Sequence, residues 1–118
     1  MANRIRDVRI INHRLDPHET ELRIVVEVDG LTPATHIQGR LMGPRCPNRS
    51  TVEVAYSMRE TERSVHAITL RVVIPEANWW EPKTPFYYEG PIELWQDGKM
   101  CERLQVNHSI RNPTSTKS

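Results

Sequence analysis

A stretch such as TELRIVVEV, residues 20–28, leaves a chain few folds to choose from. Leu22, Ile24, Val26 and Val28 recur at every second position, with Glu21, Arg23 and Glu27 on the opposite phase. Successive side chains of a strand point to opposite faces, so this alternation predicts a strand with one face in a core and one in water. The pattern returns along the chain. HIQGRLM turns Ile37 and Leu41 inward and His36, Gln38 and Arg40 outward. TVEVAYSM aligns Val52, Val54, Tyr56 and Met58, and SVHAITLRVVI aligns Ile68, Leu70, Val72 and Ile74. PIELWQ and CERLQVNHSI read as a hairpin across Asp97-Gly98, a pair that favours the positive backbone angles of a type I′ turn. The first strand, around Arg4 to Arg14, has Val8 and Ile10 in phase and Ile11 out of it.

Asp16-Pro17, Asp29-Gly30, Gly43-Pro44 and Pro47-Asn48 supply turn chemistry between the segments. No window keeps helical spacing for three turns. About seven short strands in 118 residues predict an all-β domain, an antiparallel β-sandwich of immunoglobulin-like type. The sandwich is expected over residues 1–111, and the polar NPTSTKS of 112–118 as a flexible tail.

Charge and motifs exclude several function classes. Sixteen basic and fifteen acidic residues alternate along the chain for a formal net charge of +1. Phosphate binding asks for a concentrated cationic surface, so no nucleic acid is expected as a partner. The N-terminal MANRIRDVRI lacks a secretory signal, and no apolar run is long enough for a membrane helix. A cytoplasmic location follows as an expectation, with Cys46 and Cys101 as free thiols. The tripeptides Asn48-Arg49-Ser50 and Asn107-His108-Ser109 are then chance matches to a glycosylation site.

His13, His18, His36, His66 and His108 show no zinc-type spacing, and neither cysteine has a Cys-x-x-Cys partner. There is no nucleophile elbow and no phosphate-cradling glycine loop. No metal, no cofactor and no catalytic residue is expected. Glu60 and Glu62, in RETER, lie between Arg59 and Arg63 and read as a solvated charge cluster.

Six of the seven aromatic residues fall between Trp79 and Trp95. Pro82 and Pro85 fix their own backbone angles and push Glu81 and Thr84 toward extended conformations. This stiff loop predicts a structural plug of Trp80, Pro82, Pro85 and Tyr88 at one end of the sandwich. Two adjacent tryptophans on an extended segment cannot both point inward. Trp79 is therefore the one expected outside, and with Tyr87 it makes a candidate sugar-stacking pair. Trp95, out of phase with Ile92 and Leu94, is expected on the outer face.

The segment Ile74 to Asn112 resembles the end of the immunoglobulin-like domain of glycoside hydrolase family 2, which includes β-galactosidases, β-glucuronidases and β-mannosidases. Ile74-Pro75 fits the end of a strand, Trp80 the loop tryptophan, and Pro82 and Pro85 its two prolines. Tyr88 fits the closing tyrosine, Asp97-Gly98-Lys99 the hairpin, and Ser109-Ile110-Arg111 stands where Gly-Phe-Arg would be. The motif spans about a third of the chain, and upstream the agreement is one of pattern only.

The resemblance implies that the catalytic glutamates belong to a separate (β/α)₈ barrel following this domain. The sequence ends seven residues after Arg111 and holds no Asn-Glu dipeptide, the family's acid/base signature. A non-catalytic module is expected, acting by contact with a protein partner or with copies of itself. Carbohydrate binding, or service as the accessory piece of a split glycosidase, are the alternatives.

Overall fold

The computed structural model describes residues 4–111, so the expected tail at 112–118 lies outside the described residues. Eight strands follow in order: β1 (Arg4–Arg14), β2 (Glu19–Asp29), β3 (Thr35–Arg45), β4 (Val54–Ser57), β5 (Arg59–Arg63), β6 (Ala67–Pro75), β7 (Tyr87–Gln96) and β8 (Lys99–His108). They form two four-stranded sheets, β1-β2-β6-β5 and β4-β3-β7-β8, and every strand pair is antiparallel. The first sheet has the A-B-E-D order of a constant-type immunoglobulin domain. The second has C-F-G with an added strand, β4, outside β3.

The alternating residues meet between the sheets. Leu22, Ile24 and Val26 of β2, Ile68, Leu70 and Ile74 of β6, Leu41 of β3, and Ile92 and Leu94 of β7 are all fully buried. Burial of such side chains stabilises by about 1.5–3 kcal/mol each relative to exposure. β7 comes so close to β3 that a Cβ on Gly90 would collide with the backbone carbonyl of Arg40. On Gly43 it would meet the Tyr88 ring at 2.6 Å.

Irregular positions explain where the pattern misleads. A register shift in β1 between Ile5 and Asp7 reverses the strand's phase. Ile5 is therefore buried, Val8 and Ile10 are half-buried, and Ile11 faces water. The expected β4 face holds only in its second half: Met58 is buried and Tyr56 half-buried, whereas Val52 and Val54 are exposed. β4 pairs β3 only over Arg40 to Gly43, so the chain before Val54 has no sheet to lie on. Gly43-Pro44, expected as a turn, is a cis peptide inside β3. Asp97 and Gly98 have φ of 52° and 77°, the positive angles expected of the β7–β8 hairpin.

Candidate functional site

The loop from Glu76 to Phe86 carries most of the aromatic residues, and backbone hydrogen bonds fix its path. Glu76, with φ of 49°, turns the chain out of β6, and its N–H donates to the carbonyl of His18 at 2.9 Å. Glu81 and Thr84 exchange N–H···O bonds of 3.2 and 3.1 Å around Pro82-Lys83, a tight turn with proline at the position where its fixed φ fits. The Trp80 N–H donates to the Ile110 carbonyl at 2.6 Å, and Trp80 also bridges Pro85 and Arg111. The loop and the last described residues are thus one unit.

Adjacent side chains on this extended segment point opposite ways. Trp79 packs against the hydrophobic core. Trp80 is half-buried at the rim, with the Arg111 guanidinium 4.2 Å above its ring, a cation–π geometry. Both indoles are half-buried, and Trp79, expected outside, is the one that touches the core cluster. Tyr88 is 1% exposed, and its hydroxyl accepts the Asn78 N–H at 3.0 Å. It joins the second sheet to the loop leaving the first, and its ring meets Tyr56 edge-on with centroids 6.3 Å apart. Burial pushes the Tyr88 hydroxyl above its ordinary value, the bond from Asn78 opposing it. Tyr87 and Pro85 are half-buried, Pro82 is exposed, and half-buried Trp95 donates from Nε1 to Glu93 on the outer face.

Concavities among the described residues include one at this loop and one away from it. One, of about 480 Å³, is lined by Trp80, Glu81, Pro82, Lys83 and Arg111. The other, of about 350 Å³, lies on the flank between β4 and β6 and is lined by Ala55, Tyr56, Ser57, Arg59, Arg71 and Val73. Sequence reasoning singled out Trp80 and Pro82 of the first, but met Arg111 only as part of an end motif. It missed the second, because period-two alternation gives a strand's faces and not the point where a chain changes sheets.

Several acidic residues are spent on neighbouring cations. Glu21 sits with Arg23 at 2.7 Å and Arg71 at 3.2 Å, and chiefly the Arg23 bond holds its carboxyl below the usual range. Arg63 does the same for Glu60, at 2.7 Å, while also donating to the carbonyls of Thr32 and Thr35. Arg45 bridges Glu53 and Glu89 at 3.1 and 2.6 Å. Among the described residues, no three His, Cys, Asp or Glu side chains cluster so as to hold a metal ion. Cys46 is buried, Cys101 is exposed, and both are free thiols. No helix among the described residues is long and apolar enough to cross a membrane.

No protein-family model matches the sequence, and no curated protein matches it either. Solved structures do. A β-glucuronidase of Bifidobacterium dentium, complexed with coumarin-3-O-glucuronide, superposes with a TM-score of 0.66 at 16% identity. The match covers 92% of this chain and 18% of that one. At that identity the likeness is one of fold. In fold, then, the chain is an immunoglobulin-like β-sandwich resembling a small accessory part of a family 2 glycoside hydrolase, and it is not that family's catalytic barrel.

Proposed function

We propose that the chain is a non-catalytic β-sandwich module that acts by contact with another protein. The observation that carries this reading is the flank formed around β4. Val52 is 88% exposed and Val54 48%, and the outer edge of β4 has no strand partner among the described residues. Natural edge strands are ordinarily defended by charge. β5 fits that description, with Arg59, Glu60, Glu62 and Arg63 all exposed, and β4 does not. The fold match adds support, since it occupies a fifth of a longer polypeptide. A separately encoded catalytic barrel is one partner of the kind this reading admits. A photo-crosslinking side chain at Val54 is expected to give a discrete adduct in cells, with none from the same group at exposed Gln105 of β8. Equal labelling from both positions, or from neither, would refute the reading.

A second reading, contact with carbohydrate, is favoured by the concavity beside Trp80, where an indole and a proline meet Lys83 and Arg111. Trp79 and Tyr87, both half-buried, keep some surface for such a ligand. It predicts a change in tryptophan fluorescence on adding galactosides, glucuronides or mannosides, lost in Trp80→Ala. Silence across the panel removes it.

A further inference from the structure

The first sheet is incomplete on the same flank. β5 begins at Arg59, opposite Arg71 of β6, yet β6 runs on through Val72, Val73, Ile74 and Pro75. Those four residues pair with β2 on one side, opposite Leu22, Glu21, Thr20 and Glu19. On the other side they have no strand among the described residues. The chain that would have covered them has left for the second sheet. Residues 54–57 pair with β3 instead, and buried Met58 is the crossing point, its N–H donating to the Gly39 carbonyl at 3.0 Å. The unpaired edge of β6 is about 13 Å long at strand rise, with the Val72 and Ile74 side chains buried, and the notch of about 350 Å³ opens beside it.

We propose that this notch receives an extended acidic segment of a partner protein, added as a strand beside Val72–Pro75. The inference rests on the protein-contact reading above and names the partner's chemistry. Strand addition draws on backbone hydrogen bonds for affinity and on side-chain contacts for choice of sequence. Both charged side chains lining the notch are cationic. Arg59 makes no ion pair among the described residues, and Arg71 shares its one carboxylate, Glu21, with Arg23. Of the acidic side chains on and next to β5, Glu60 pairs with Arg63 and Glu53 with Arg45, while exposed Glu62 makes no ion pair among the described residues and does not line the notch. No acidic side chain among the described residues lines the notch, so an incoming molecule can supply the complementary charge. A second copy of this chain is a poorer fit, because its own β4 flank offers Glu53, which Arg45 already holds. Tyr56 and Val73 supply apolar surface for the alternate positions of the incoming strand.

The test titrates the chain with capped heptapeptides that alternate valine or threonine with glutamate, and with the same peptides carrying lysine. Amide exchange of Val73, whose N–H points away from β2, is followed by NMR with Val72 and Ile74 as internal references. The glutamate peptides are expected to bind and to slow exchange at Val73, and the lysine peptides to do neither. Arg59→Glu, at an exposed position without an ion pair, is expected to weaken binding about tenfold with an unchanged melting temperature. Binding by both peptide sets, binding without slowed exchange at Val73, or affinity unchanged in Arg59→Glu would each overturn the proposal. So would no binding at all, and an adduct from Val54 would then leave the broader contact reading standing.

Discussion

Tyr88 does three things with one side chain. Its ring fills the core, it sits over a glycine that leaves it room, and its hydroxyl receives the Asn78 N–H. Tyr88→Phe keeps the ring and strands that amide. A loss of about 1–3 kcal/mol is expected, read as a lower denaturation midpoint with an unchanged slope. A change within a few tenths would mean that water replaces the bond. The tyrosine itself was legible in the sequence as part of the loop motif. Its donor was not, because nothing in a sequence says which amide a loop will turn inward.

The loop from Glu76 to Phe86 shows how element-scale packing separates two identical neighbours. Trp79 lies against the core, whereas Trp80 rests at the rim under Arg111. Trp79→Ala is accordingly expected to cost up to about 3 kcal/mol, the low end of the range for a large aromatic in a core, since Trp79 is half-buried. Trp80→Ala is expected to cost clearly less, and thermal unfolding of the two variants ranks them. The reverse order would place the larger packing contribution on Trp80.

Strands with a buried face announced themselves, since β2, β3, β6 and β7 place their alternating residues where the pattern put them. β5 did not. A strand of five exposed residues has no apolar side chain to alternate, so the expected seven strands became eight. The notch depends on that short strand and on the crossing at Met58, and so was equally illegible. The Trp80 concavity was half legible, because its aromatic and proline sit in one motif and Arg111 comes from the far end of the chain.

Across the whole molecule, charge pairing sets the response to pH. Folding holds the carboxyls of Asp16, Glu21 and Glu60 below their ordinary values, chiefly through the His18 amide, Arg23 and Arg63 respectively. The unfolded chain therefore binds these protons more readily than the folded one. The stabilisation they provide is full above a pH of about 4.5 and is lost as pH falls through the folded values. His108 adds a milder step at higher pH. Burial lowers its value, and its ring Nε2 lies 2.8 Å from the Asn12 amide oxygen, joining the outer strands of the two sheets. Its contribution is full above about 6.5 and falls as pH drops below it. Unfolding midpoints measured from pH 8 to 3 are expected to decline in these two stages. Replacing His108 with Gln removes the upper one and leaves the lower. A single transition, identical in both proteins, would contradict this assignment.

The bond between the Trp80 N–H and the Ile110 carbonyl fastens the outgoing end of the domain to a loop already locked by Tyr88 and two prolines. A pull on Arg111 would therefore meet this clasp before it could peel β8 from its sheet. The last described residues are thereby anchored to the sandwich at two places, through β8 and through the loop.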